Sequence, residues 1–173
     1  MSVVKTINDL NALEQGQFID LLADIFEHSS WIAKNTWSSR PFISVDELHQ
    51  VMCAEMQNSD IENQLALLRA HPELAGTAAL EGDLTAASSE EQKGAGLTHL
   101  LPDEIAHITR LNQAYGEKFG FPFIIAVKNN TKSSIIVAFE KRLKNSKEDE
   151  LQTALEQVGL IARFRLKNLF TVS

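Results

Sequence analysis

Apolar side chains recur at three- to four-residue intervals along most of this chain, the spacing that lines one face of an α-helix. Phe18, Leu21, Leu22 and Ile25 carry the pattern over residues 17–26, after a shorter amphipathic stretch over 7–13. His28-Ser29-Ser30 interrupts it, Trp31-Ile32-Ala33 begins another turn, and Ser38-Ser39-Arg40-Pro41 reads as a loop. Ser44-Val45-Asp46-Glu47 has the form of a capping box and predicts a helix toward Met56. Ser59-Asp60-Ile61-Glu62 has the same form, and its helix runs into His71. Residues 76–87 lose the periodicity and predict a loop of about a dozen residues, a length that in compact domains is often functional. Ser88-Ser89-Glu90-Glu91-Gln92 opens a helix over 88–97. Pro102 opens a longer one over 102–119, with Ile105, Ile108, Leu111 and Tyr115 on one stripe and Gly120 placed to end it. Helices over 133–144 and 147–170 complete the chain, the last striped by Leu151, Leu155, Val158 and Ile161.

One stretch departs from this rhythm. Phe121-Pro122-Phe123-Ile124-Ile125-Ala126-Val127 has strand composition, yet nothing else in the chain has the character to pair with it. It predicts a buried extended segment, not a sheet. The fold class expected is therefore all-α, a single-domain bundle over residues 1–173 of about eight helices with that one extended segment.

Composition narrows the function classes. The chain has 173 residues, enough for a sizeable core in one domain. Its net charge of -7 argues against nucleic-acid binding, which needs a basic surface. No apolar run approaches the roughly 20 residues of a membrane span, and Met1-Ser2-Val3-Val4-Lys5 carries no apolar signal region. A single cysteine, Cys53, excludes a disulfide framework and a multi-cysteine zinc site. It sits in the run Val51-Met52-Cys53-Ala54 and reads as a small core hydrophobe. With Thr171-Val172-Ser173 unlike a peroxisomal signal, a cytoplasmic location is expected.

Three features remain with chemical potential. The first is His71 before Pro72. Proline disfavours the α conformation in the residue ahead of it, which sets an imidazole on a rigid corner at a helix end, beside Glu73. Taken alone this is better explained by a surface histidine capping a helix. The second is Ser88-x-x-Glu91-Gln92. It fits a capping box, and Ser89-x-x-Gln92 fits it one residue later, but a helix N-terminus also suits an anionic ligand. The third is the 121–127 segment, whose backbone groups have no sheet to pair with, together with Arg163 or Arg165 on the last helix. Two positions apart on a helix, these arginines point in different directions. His99, Asp103 and His107 have four-residue spacing, but Pro102 starts a helix after His99 and breaks the geometry, so no metal site is expected. There is no Gly-x-Ser-x-Gly elbow and no dinucleotide or phosphate-loop fingerprint.

Several motifs then fall in a familiar order. They are Phe26-Glu27-His28-Ser29 with Trp31; His71-Pro72-Glu73-Leu74-Ala75-Gly76; Leu84-Thr85-Ala86; Ser88-x-x-Glu91-Gln92; and Gly94-Ala95-Gly96-Leu97. Leu111-Asn112-x-x-Tyr115, Phe119-Gly120-Phe121-Pro122-Phe123-Ile124 and Ile161-Ala162-Arg163-Phe164-Arg165-Leu166 follow. Over nearly its whole length the chain resembles the 2-oxo-4-hydroxy-4-carboxy-5-ureidoimidazoline (OHCU) decarboxylase family of the route from urate to allantoin. The resemblance implies an all-α homodimer without metal or organic cofactor, converting OHCU to (S)-allantoin and CO2. It places the catalytic histidine on His71 and the ligand-binding positions on Pro72, on Ser88, Ser89, Glu90, Glu91 and Gln92, and on Phe123, Ile124, Ile125, Ala126 and Val127. It places a further arginine on Arg165, with Arg163 the alternative. The family often has Ala-Glu-Ser where this chain has Ala86-Ala87-Ser88, a departure that touches none of the matched polar roles.

In the mechanism this implies, His71 is the general acid and Glu91 orients it or binds ureido N–H groups. Gln92 matches an amide-like ring edge, and Arg165 meets the developing oxyanion. Two other readings compete: a relative acting on another ureido or imidazoline compound, and a non-catalytic all-α interaction module.

Overall fold

A computed structural model describes residues 4–75, 86–94, 96–97, 99–128 and 130–170. Nine α-helices and no strand occur among them. They are α1 (Ile7–Asn11), α2 (Gln15–Leu22), α3 (Ser30–Thr36), α4 (Val45–Asn58), α5 (Ile61–Ala70), α6 (Ala86–Gly94), α7 (Pro102–Phe119), α8 (Lys132–Arg142) and α9 (Lys147–Phe170). A short 3-10 turn, Trp37–Ser39, follows α3. The all-α class stands, with the 121–127 segment running between α7 and α8.

The helix starts follow local chemistry, with two shifts from expectation. Ser44 caps α4 by accepting the Glu47 N–H at 3.0 Å, while the Glu47 carboxylate reaches one residue beyond the box, to the Ile43 N–H. At α5 the cap is Asp60, which accepts the Asn63 N–H at 2.8 Å. Ser59 closes the preceding helix by donating to the Met56 carbonyl at 2.7 Å. Two consecutive capping residues thus divide between the end of one helix and the start of the next. Pro102 begins α7, Glu104 accepts the Leu101 N–H at 2.9 Å, and Gly120 ends the helix at φ +77, a conformation open to a residue without Cβ.

The chain forms two compact units. The first comprises Met1–Ala70 and Gly159–Ser173, and its core gathers Leu10, Phe18, Leu22, Ile32, Phe42, Leu48, Met52 and Met56. Phe18 lies edge-on to Trp37 with centroids 5.3 Å apart, and the Arg40 guanidinium sits over the Trp37 ring. The second unit, His71–Val158, is built on Tyr115, Phe119, Phe121, Phe123 and Phe139. Phe123 stacks on Phe139 at 3.9 Å and meets Tyr115 edge-on at 5.5 Å. Edge-on and offset aromatic pairs add about 0.5–1.5 kcal/mol each beyond the area they bury, so this cluster fixes α7, α8 and the segment between them.

Candidate functional site

His71 is the first residue after α5, as the conformational restriction ahead of Pro72 predicts. It is 8% exposed, so it is not a surface cap; Glu73, two residues on, is exposed. The corner closes at Ala75, whose φ of +49 lies in the left-handed region. A residue carrying a Cβ pays about 1–2 kcal/mol there, so something must hold it.

Two side chains do. Asn112 on α7 donates from Nδ2 to the Leu74 carbonyl at 3.0 Å. The Ala75 N–H donates to Gln92 Oε1 on α6 at 3.0 Å. These carbonyl and amide groups belong to one peptide unit, and in a trans peptide they point in opposite directions. The unit is therefore gripped from both sides, four residues from the imidazole. The Ala75 N–H demands an acceptor, which fixes the orientation of the Gln92 amide. The amide edge foreseen for a ligand is thus reduced: the Gln92 oxygen is committed within the chain, and its Nε2 group is what it has to offer.

Helix α6 begins at Ala86, two residues before the expected start, and ends at Gly94, short of the expected Leu97. Ser88 is thus inside the helix, and Ser88-x-x-Glu91 is not a capping box. The same spacing is instead a helical face. Ser88 and Gln92 are buried and Glu91 is half-buried, whereas Ser89 and Glu90 are exposed. Of the five positions assigned to ligand binding, three share the inward face and two turn away. Most of the loop expected over 76–87 lies outside the described residues.

Residues 123–127 are buried apart from half-buried Ile125. Their backbone groups are not all uncommitted, as the sequence had suggested. The Ile124 carbonyl accepts from Arg142 Nη1 at 2.6 Å. The Ala126 N–H donates to Gln157 Oε1 at 2.9 Å, and its carbonyl accepts from Asn130 Nδ2 at 2.8 Å. The Val127 carbonyl is taken by the Asn130 N–H at 3.0 Å. Among the described residues, nothing hydrogen-bonds the N–H or C=O of Ile125. In extended backbone both groups of one residue point to the same edge, and those of its neighbours to the other. Side chains hold the 124/126 edge, and on the other edge the Ile125 N–H and C=O are without a hydrogen bond among the described residues. The Phe123 ring belongs to the aromatic core and offers nothing polar.

The first unit separates the two arginines. Arg163 is exposed and Arg165 is 8% exposed. Arg165 Nη1 lies 2.8 Å from Glu27 Oε2 and donates to the Asp24 carbonyl at 3.1 Å. A buried guanidinium needs a partner carboxylate, and Glu27, itself buried, supplies it. Sequence reasoning quoted Glu27 only as part of a motif. It also gave no role to Asn112, Arg142 and Gln157, since nothing local marks a side chain whose partner is a distant backbone group. His99 precedes α7 and is exposed, and His107 pairs with Glu140 at 3.1 Å. Among the described residues no three His, Cys, Asp or Glu side chains are grouped to hold a metal ion.

Known proteins share this chain's plan. The family model for OHCU decarboxylase matches residues 11–167. A 2-oxo-4-hydroxy-4-carboxy-5-ureidoimidazoline decarboxylase of Halalkalicoccus jeotgali is 43% identical over 95% of this chain and 91% of its own length. The uric acid degradation bifunctional protein of Bacillus subtilis is 42% identical over 96% of this chain, which corresponds to 33% of that longer protein. A crystal structure of (S)-allantoin synthase matches with a TM-score of 0.75 at 30% identity. It covers 97% of this chain, which spans 55% of that one.

Proposed function

The chain belongs to the OHCU decarboxylase family, and on that premise we propose that it removes CO2 from OHCU to give (S)-allantoin, in the degradation of urate. The observation that carries this reading is the buried His71 on a corner clamped by Gln92 and Asn112, within a chain that matches the family from residue 11 to 167. That match runs through both compact units, which supports one functional domain over residues 1–173.

In the proposed reaction the C–CO2 bond breaks and leaves its electron pair on a ring carbon. The pair forms a double bond to the neighbouring, ureido-bearing carbon and drives the electrons of its C=N bond onto nitrogen, which takes up a proton, so the ring serves as its own electron sink. His71, as imidazolium, then delivers a proton to the ureido-bearing carbon and forms its C–H bond from one face, while the hydroxyl on the decarboxylated carbon gives up its proton and becomes the ring carbonyl of the product. The clamp decides which face by deciding where the imidazole stands, and Pro72 stiffens the backbone beside it. Glu91 orients the imidazole or accepts ureido N–H groups. Ser88 and the Gln92 Nε2 group donate to ring or ureido oxygens, and the Ile125 edge offers one donor and one acceptor to the planar ring. Arg165 is assigned to the developing oxyanion; its burial supports it over Arg163. Tight ground-state binding of the leaving carboxylate would not help the step.

The proposal includes a homodimer, on the resemblance, and a cytoplasmic location, which a lone free cysteine supports. Light scattering in solution tests the dimer. The function itself is tested by generating OHCU from urate with urate oxidase and hydroxyisourate hydrolase, then following allantoin by circular dichroism. Added protein should give one enantiomer rapidly. His71→Ala should lose about 10²–10⁴-fold in rate, the worth of a positioned general acid, with the fold intact. Racemic product at the uncatalysed rate from the parent protein would remove the reading. Normal turnover by His71→Ala would remove the histidine from it.

A further inference from the structure

The second unit buries a charged cluster that the proposed chemistry does not use. Arg142, the last residue of α8, and Glu150, in the first turn of α9, form an ion pair with Nη2 and Oε1 2.6 Å apart, and Glu150 is 0% exposed. Arg142 Nε also donates to Oε1, at 2.7 Å, and the Tyr115 hydroxyl donates to the same oxygen at 2.5 Å. Asn145 Nδ2 donates to Oε2 at 2.9 Å. Burial beside the carboxylate pushes the Tyr115 hydroxyl far above its ordinary pKa, which keeps it a donor. The Phe123 ring lies under the guanidinium, 4.3 Å away.

A buried ion pair is a weak source of stability, because desolvation offsets most of its attraction and apolar residues of like volume often serve as well. This one does something an apolar residue cannot. Arg142 Nη1 donates to the Ile124 carbonyl at 2.6 Å. Two residues on, Gln157 accepts the Ala126 N–H. Both partners sit on the same edge of the extended segment and leave the Ile125 groups to the opposite edge.

We propose that Arg142, locked by Glu150 and Tyr115, is a positioning residue that with Gln157 fixes the rotation of the 124–126 backbone and so aims the Ile125 N–H and C=O at the substrate ring. The assignment rests on the decarboxylase reading, in which that segment meets the ligand. Arg142 touches no reacting atom; it acts through the Ile124 carbonyl. An edge that holds the ring equally before and during reaction governs KM rather than kcat.

The experiment measures KM and kcat for the parent, Arg142→Lys, Gln157→Ala, Gln157→Glu and the packing variant Ile135→Val, with Tm for each. Arg142→Lys and Gln157→Ala should each raise KM about tenfold, roughly one hydrogen bond's worth of binding, with kcat little changed. Gln157→Glu keeps the acceptor oxygen and should recover the parent KM. Ile135→Val, a change to a buried side chain on α8, should lower Tm without moving KM. If Arg142→Lys does not fold, Gln157, which is only half-buried, decides alone. An unshifted KM in the folded variants of a parent that turns over, or the same shift in Ile135→Val, overturns the positioning role and leaves the decarboxylase reading standing. A parent without enantioselective turnover overturns both.

Discussion

Gln92 and Asn112 hold the two ends of a single peptide unit, one accepting the Ala75 N–H and the other donating to the Leu74 carbonyl, each at 3.0 Å. Replacing Gln92 by Leu keeps the volume and orphans a buried donor, which should cost about 1–3 kcal/mol. Asn112→Leu removes the grip on the other side. Because both act on one peptide plane, their effects should not add; thermal unfolding of the two single variants and the double variant should give a coupling of about 0.5–3 kcal/mol. Strict additivity would mean that the two bonds do not hold a common corner.

Ala75 makes a sharper test, because it separates stability from activity. At φ +49 its Cβ is strained, and glycine would relieve that strain at some cost in unfolded-chain entropy. Ala75→Gly should leave stability unchanged or raise it by up to about 1 kcal/mol. It should also loosen the corner that carries His71, so enantiomeric excess in the allantoin product should fall while Tm does not. A variant with parental selectivity would show that Ala75 plays no part in aiming the imidazole.

Glu91 lies six residues into α6, beyond the reach of any cap. Glu91→Gln should therefore leave the unfolding free energy within about 0.5 kcal/mol of the parent. Loss of a charge-assisted hydrogen bond to the imidazole or to ureido N–H groups, worth about 1.5–3 kcal/mol, should lower kcat/KM at least tenfold. The reverse outcome, lower stability with turnover preserved, would return Glu91 to a purely structural role.

The contrast between Glu91 and Gln92 shows what the sequence revealed of this site. A serine three residues before a glutamate serves equally as a cap or as one inward face, and a two-residue shift in the helix start decides between them. The Pro72 corner was legible because its cause is local. Its clamp was not, since the partners lie 17 and 38 residues away and pair through ordinary amides. The 121–127 segment likewise announced itself by composition. The arginine and glutamine that hold it, 18 and 31 residues distant, look like any polar residues on helices. For the last helix, periodicity showed that one arginine faces inward but not which, because that depends on where Glu27 stands.

Cys53 is half-buried and its Sγ lies 3.2 Å from His49 Nε2. Burial pushes its thiol up from 9.0 to about 11. A folded-state value above the unfolded one means the thiol's contribution to stability is whole below pH 9 and is lost as pH rises toward 11. At pH 8 the native thiolate fraction should be about a hundredfold below that of the unfolded chain, and alkylation by iodoacetamide slower by at least that factor. Labelling of the native protein as fast as of the denatured one would mark an activated thiol and contradict its place as a packing residue.

Arg163 and Arg165 give the last comparison. Arg163 is exposed, and its replacement by alanine should change stability by no more than about 0.5 kcal/mol and turnover by less than twofold. Arg165→Ala would take the guanidinium away from the buried Glu27 carboxylate, a loss of up to about 3–5 kcal/mol, so its activity would report unfolding as much as chemistry. Arg165→Lys is the informative variant. It keeps the charge beside Glu27 but replaces the planar guanidinium, whose Nη1 meets both the Glu27 carboxylate and the Asp24 carbonyl, with a compact ammonium. With the fold confirmed by circular dichroism, it should lose at least tenfold in kcat if a guanidinium is needed at the oxyanion. Equal losses in Arg163→Ala and Arg165→Lys would show that burial has not selected between them, and would withdraw Arg165 from the mechanism.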